Sequence, residues 1–266
     1  MTPELSLPIQ TAWLIPLYGF IGMLVSLPWA CGWFRRDAHR PAAYLNILLT
    51  LLAFAHGSLI LQEVYQSGPV DLAFPWLSVA DLELNISFSL SLTNLVALEL
   101  ITGLSLLSQV YSLGYMDKEW ALARFFALLG FFEGAMSGVV LSDSLFQSYF
   151  LLEMLTLSTY LLVGFWYAQP LVVTAARDAF LTKRVGDVLL LMGVVALCSY
   201  SGVMGFNDLY AWAAQDTLSP LAATLLGLGL VAGPQRASAP SSPCTSGWTK
   251  PWRAPTPLRF CGTRWW

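Results

Sequence analysis

Ser144–Tyr167 reads S-L-F-Q-S-Y-F-L-L-E-M-L-T-L-S-T-Y-L-L-V-G-F-W-Y, 24 residues with one formal charge, Glu153, near the centre. About 20 predominantly apolar residues suffice for a helix to cross the hydrocarbon core of a bilayer. A charge at that depth costs about 3 kcal/mol or more. The stretch therefore predicts a transmembrane helix whose carboxyl needs a partner or a polar path.

Working outward, four similar runs precede it: Thr11–Phe34, Ala42–Leu61, Phe88–Tyr111 and Ala121–Leu141. Two follow: Ala179–Tyr200 and Leu218–Gly233, the last short and abruptly ended. The whole chain is 56% hydrophobic and 11% charged, with a mean hydropathy of +0.63. An ordinary soluble chain carries about 25% charged residues, so the soluble class is excluded. The fold class expected is all-α, a polytopic transmembrane helix bundle with six full spans plus a truncated seventh. Between spans two and three, residues 63–87 read as an external segment. Gly68-Pro69 marks a turn there, and the alternation Leu82, Leu84, Ile86, Phe88 predicts a short β-hairpin. No cleavable signal peptide is evident, because Arg35 and Arg36 follow the first run without a small-residue cleavage site.

Charge placement tests this map. The eight Lys and Arg residues before Pro234 are Arg35, Arg36, Arg40, Lys118, Arg124, Arg177, Lys183 and Arg184. All lie in or beside the loops after spans one, three and five. The loops after spans two, four and six carry acids instead: Asp71, Asp81, Glu83, Asp143, Asp208 and Asp216. Basic loops stay on the cytoplasmic side, so the N-terminus is expected to face away from it.

Three carboxyls fall inside spans: Glu99, Glu133 and Glu153. Each is read either as a proton carrier or as a helix-packing group. Lys183, Arg184 and Asp187 open the sixth span, and Asp187 stands three and four residues after the two bases, within reach on one helix face. Arg184 and Lys183 also suit interfacial anchoring. His56 reads more readily as a packed histidine than as a relay. Trp13, Trp29, Trp33, Trp120 and Trp166 sit near span ends, as an interfacial belt does. The four cysteines are scattered and only two histidines occur, so no metal site is expected. No Gly-rich nucleotide loop or nucleophile–His–Asp order is found, and no nucleic-acid partner is expected. What chemistry remains is proton or ion handling.

Ser148–Glu153 continuing through Thr159–Tyr167, followed by Ala179-Phe180-Leu181-Thr182-Lys183-Arg184-Val185-Gly186-Asp187, resembles the antiporter-like subunit 5 family of complex I, with Lys183 in place of the usual Asn. The resemblance covers Met1–Pro234. Trp13-Leu14-Ile15-Pro16, Arg40-Pro41-Ala42, Gly130-Phe131-Phe132-Glu133 and Gln169–Thr174 look like the cyanobacterial form of CO2-uptake complexes. The resemblance implies a proton-translocating membrane subunit of an NAD(P)H (or ferredoxin)–plastoquinone oxidoreductase. It implies proton-path roles for Glu153, Arg184, Asp187 and Glu133, none of them redox. Flavin, iron–sulfur clusters and nicotinamide would belong to other subunits, with no cofactor or metal on this chain. The implied partners are the lipid bilayer, a neighbouring antiporter-like subunit and a CO2-uptake protein. The implied location is a cyanobacterial thylakoid membrane. Two alternatives stay open: a subunit of a cation/proton antiporter, and a non-transporting structural fragment.

Two parts are expected: residues 1–234, the transmembrane part, and 235–266, a Pro-, Trp- and Arg-rich tail without a hydrophobic run. The family continues its seventh span with a signature near G-P-x-G-K-x-A-Q-F-P-L-H-L-W-L-D-E-A-M-E-G-P-N-P-A-S-I-L-R-N, whose lysine carries protons. Here Gly233-Pro234 leads into Gln235-Arg236-Ala237-Ser238 instead. Back-translating Pro243–Trp248 and regrouping the bases one position earlier permits Pro, Leu, His, Leu or Phe, Trp, Leu. The same shift lets Thr249–Pro255 spell Asp, Glu, Ala, Met, Glu, Gly, Pro, and lets Thr256–Arg264 spell the signature's end. The tail is thus expected to be an out-of-frame reading of the seventh-span region, through a sequencing error, a frameshift mutation or a programmed event.

Overall fold

The structure, a computed structural model, describes residues 6–33, 40–79, 82–117, 119, 121–214, 224, 227, 228 and 230. The expected seventh span, a few positions apart, and the 235–266 tail lie outside the described residues. The described residues form two compact units, 6–142 and 143 onward.

In the first unit a one-turn helix α1 (Leu7–Gln10) leads into α2 (Leu14–Ala30), α3 (Arg40–Ser67), strands β1 (Val70–Val79) and β2 (Leu82–Leu90), α4 (Leu92–Tyr115) and α5 (Leu122–Leu141). The expected first span is shorter than its apolar run. Pro28 lacks an N–H for the last turn, and Gly32 at φ 79° leaves the helical region. At 28 residues α3 is about 42 Å long, longer than a hydrocarbon core of about 30 Å. Gly68 at φ 94° ends it and turns the chain into β1. The two strands pair antiparallel from Val70↔Leu90 to Val79↔Leu82, with an irregularity between Pro75 and Leu77. A proline cannot donate to the ladder, which suits it to such a break. Ser91 then caps α4, its hydroxyl accepting from the Asn94 N–H at 3.3 Å.

The tightest helix contact follows from glycine spacing. Gly130 and Gly134 of α5 lie four apart on one face, and Gly19 and Gly22 of α2 meet them. A methyl group built on Gly19 would come within 2.5 Å of the Gly134 nitrogen, and one on Gly134 within 2.9 Å of the Pro16 carbonyl oxygen. In lipid no hydrophobic force drives helices together, so small residues that let backbones approach supply the attraction. Asn46 of α3 closes the junction. Its amide nitrogen donates to the Gly22 carbonyl at 2.9 Å and the Ser26 hydroxyl at 2.6 Å. Its carbonyl oxygen lies where side chains on Gly22 or Gly130 would have to go.

Two sets of contacts define the ends of this unit. Arg40, opening α3, pairs with Asp117, just past α4, at 2.7 Å. At the opposite end, Ile9, Ala12, Ile60, Val64, Phe88, Leu90, Leu95 and Leu141 pack into one apolar cluster, and Phe88 bridges to Ser142. The starts and ends of the helices therefore alternate, as the sorting of basic and acidic loops requires.

The second unit holds α6 (Leu145–Val163), α7 (Pro170–Ser201) and α8 (Phe206–Ala213). Tyr160 and Phe180 pack α6 on α7, ring centres 4.8 Å apart. A bridge from Ser144 to Gly205 and a bond from the Phe206 N–H to the Asp143 carbonyl at 3.1 Å tie the start of α6 to the start of α8. The expected sixth span starts at Ala179, but α7 begins nine residues earlier. Pro170 occupies its first position, where a missing N–H costs nothing. At 32 residues α7 is about 48 Å long. Lys183, Arg184 and Asp187 consequently lie in mid-helix rather than at its start.

Among the described residues, four helices are long and apolar enough to cross a membrane: α3, α4, α5 and α6. The apolar helix α2 is shorter, at 17 residues.

Candidate functional site

Each unit carries a carboxyl with built-in partners. In the second unit, Glu153 projects from α6. The Tyr149 hydroxyl, one turn earlier, donates to its Oε1 at 2.5 Å. Arg184 of α7 donates to its Oε2 and forms an ion pair. Both carboxylate oxygens are thus engaged. The Arg184 guanidinium also lies 6.0 Å from the centre of the Phe180 ring. Asp187, one turn along α7, interacts with the charges of Lys183 and Arg184 and lies beside the Thr156 hydroxyl of α6. Its Oδ2 is buried without a hydrogen-bond partner. Arg184 therefore stands between two acids, one across the helix pair and one on its own helix.

In the first unit, Glu133 of α5 is 1% exposed. Its Oε2 accepts from Thr50 of α3 at 2.6 Å, Gln109 of α4 at 3.1 Å and Ser105 of α4 at 3.2 Å. Gln109 also donates to the Thr50 hydroxyl at 2.8 Å. Three neutral donors from two helices thus converge on one oxygen. The other oxygen, Oε1, is buried with no partner, as is the Gln109 carbonyl oxygen. Glu99 of α4 repeats the asymmetry at smaller scale. Its Oε2 accepts from Ser58 of α3 at 3.1 Å, while Oε1 is buried and unpartnered, close over Gly57. His56 faces elsewhere, its Nε2 within 3.2 Å of the Thr11 hydroxyl and the Pro8 carbonyl.

The structure thus joins Glu153 to Arg184 and gives Asp187 the two bases as neighbours. Glu133 makes its bonds inside the first unit. Sequence reasoning passed over the partners Tyr149, Thr50, Ser105 and Gln109. Their signals were present: a tyrosine four residues before Glu153, and Ser105 and Gln109 four apart on one helix face.

Chemically, an arrangement of this kind can hold a proton. Protonating Glu153 would remove the charge that holds Arg184. Glu133, bonded only by neutral groups, takes up or releases a proton without any ion pair to break.

Comparison with known proteins places these residues. Residues 76–126 match the family described as the NADH-ubiquinone oxidoreductase (complex I) chain 5 N-terminus. Residues 142–239 match the transmembrane region of the NADH:quinone oxidoreductase/Mrp antiporter family. Glu99 falls in the first segment; Glu153, Arg184 and Asp187 fall in the second; Glu133 lies between them. The chain is 74% identical over 236 residues to NAD(P)H-quinone oxidoreductase subunit 5, organellar chromatophore 2, of Paulinella chromatophora, covering 88% of this chain and 38% of that protein. It is 32% identical over 238 residues to the chloroplastic subunit 5 of Triticum aestivum, covering 84% of this chain and 32% of that protein. The chain thus spans 32% to 38% of these relatives' length. Among solved structures, a chain of the archaeal membrane-bound sulfane sulfur reductase superposes with a TM-score of 0.76 at 15% identity, over 94% of this chain and 49% of that one. A chain of the Mrp complex from Dietzia sp. DQ12-45-1b does so at 0.67 and 20% identity, over 88% and 24%. These two likenesses concern the fold alone. On its two matched segments and its sequence identity, the chain belongs to the antiporter-like membrane-subunit family of NAD(P)H–quinone oxidoreductase subunit 5.

Proposed function

We propose that this chain carries part of the proton path of a proton-translocating NAD(P)H (or ferredoxin)–plastoquinone oxidoreductase. The single observation behind this reading is the Glu153 carboxylate, engaged at one oxygen by Tyr149 and at the other by Arg184 of the facing helix. Proton arrival at Glu153 releases Arg184 toward Asp187, and this exchange couples proton uptake to a rearrangement of charge along α7. Redox groups are assigned in this reading to other subunits, on the wide scatter of the four cysteines along the sequence. The partners in this reading are lipid, a neighbouring antiporter-like subunit and a CO2-uptake protein. The location is a thylakoid membrane of cyanobacterial type, and the bundle has six full spans, α2 and α7 included.

The test is Glu153→Gln in the assembled complex, with quinone reduction and proton translocation measured on the same vesicles. Translocation falls while quinone reduction continues. Equal translocation in both would sink the reading.

A cation/proton antiporter subunit is the second reading, favoured by the match of residues 142–239 to a family that includes Mrp antiporters. Sodium-driven proton movement in vesicles without any quinone would select it. We also read residues 235–266 as an out-of-frame version of the seventh-span region, which leaves this chain without that span's proton-carrying lysine.

A further inference from the structure

Glu99 and Glu133 lie outside the ion-paired site, yet they share an unusual construction. Each is bonded at Oε2 and carries a buried, unpartnered Oε1. Leaving a buried polar atom unbonded costs about 1–3 kcal/mol, more for a charged group, so such atoms mark places where a donor is to be received. Both carboxyls also share helices. The partners of Glu133 are Thr50 on α3 and Ser105 and Gln109 on α4; Glu99 is itself on α4 and bonds Ser58 on α3. From Glu99 to Ser105 the rise along α4 is about 9 Å, and from Thr50 to Ser58 along α3 about 12 Å. The buried residues in that interval are small, Ala53 and Gly57 on α3 and Thr102 on α4, with Phe54 lying beside them against Gly103. Glu133 is fully enclosed, whereas Glu99 is only partly buried.

We propose that Glu99 and Glu133 are the two ends of an internal proton branch between α3 and α4, linked by about three hydrogen-bonded waters. Glu99 is the entrance and Glu133 the store. Thr50, Ser105 and Gln109 are positioning residues. Their three bonds fill the lone pairs of Glu133 Oε2, so the proton is taken and given at Oε1. In one transfer the O–H bond at Glu99 Oε1 breaks, each water passes a proton on, and an O–H bond forms at Glu133 Oε1. Glu99 is left anionic and Glu133 neutral, with no change of oxidation state. Gly57 lacks a side chain where the Glu99 carboxyl lies, which keeps that oxygen against α3.

This proposal deepens the proton-handling reading but is separable from it. The experiment is a time-resolved infrared measurement on the intact membrane complex after a pH jump. The Glu133 carboxyl band is identified as the one lost in Glu133→Gln. Glu99→Gln slows that band's response by about tenfold, the effect of about 1.4 kcal/mol on a barrier, while its amplitude is kept. Glu99→Asp, which retains the carboxyl, slows it less and covers the case in which the amide variant fails to assemble. An unchanged response in both variants overturns the branch, as does the absence of any band lost in Glu133→Gln. Translocation measured on the same samples separates the two claims. A wild-type complex that fails to translocate while the Glu133 band still responds to Glu99 leaves the branch standing and removes the proposed function.

Discussion

Glu153 of α6 and Arg184 of α7, 31 residues apart in sequence, form an ion pair that ties the two helices together at mid-length. The Arg184 side chain is 48% exposed and that of Glu153 18% exposed. Exposed pairs contribute about 0–1 kcal/mol, and breaking a fully buried pair costs about 3–5 kcal/mol. A double-mutant cycle with Glu153→Gln and Arg184→Gln should give an intermediate coupling, about 1–2 kcal/mol, in thermal unfolding of the solubilised complex. Additive single effects would mean that the pair contributes nothing.

The glycine crossing predicts a sharper loss. Gly134→Ala places a methyl group 2.9 Å from the Pro16 carbonyl oxygen and 3.0 Å from the Phe20 nitrogen. Backbone atoms cannot step aside as a side chain would. Overpacking of this kind costs about 1–3 kcal/mol, and Gly134→Leu should abolish accumulation of the chain in membranes. Immunoblots of membrane fractions, with Gly114→Ala as a control at an open position, check this.

Asn46→Ala removes the amide that bonds both Gly22 and Ser26. Ser26 still donates to the Gly22 carbonyl at 2.8 Å, so only part of the junction is orphaned. The expected loss is about 1–3 kcal/mol, read as a lower unfolding temperature. Asn46→Asp should cost more, because it puts a carboxylate at a site without a cation among its bonded partners.

Much of this architecture is legible in the sequence. The apolar runs carry α3 to α6, and the alternation of basic and acidic loops carries the directions of α3 to α5. What escapes is set by tertiary context. Helix α7 begins at Pro170 because helix starts answer to capping and proline placement rather than to hydropathy. The expected first span overran because Gly32 stops α2 before the apolar run ends. Site residues divide in the same way. Glu153 and Arg184 stand in a readable motif, but spacing on one helix suggested Asp187 as the partner of Arg184, and the facing acid on α6 is invisible to such a rule. Thr50 is 83 residues from Glu133. No local pattern joins them, and residues 127–141 lie outside both matched family segments.

The tail carries a prediction of its own. If residues 235–266 are read in a shifted frame, the codon for Cys244 ends in C, that for Pro251 ends in A and that for Arg253 is AGG. Resequencing the gene across the Gly233 codon should find these bases and, against the family's frame, a single-base loss upstream of Pro243. An uninterrupted frame with other codons at these positions refutes the reading.

At the crossing of α2 and α5, glycine meets glycine and main chain lies directly against main chain, with Asn46 and the Phe20–Phe131 ring pair beside it. Such a joint has no rotamers to exchange and no side chain whose charge state can alter it. It acts as a fixed hub, and a proton arriving at Glu133 acts on the side-chain bonds that α3 and α4 make to it rather than on the glycine crossing.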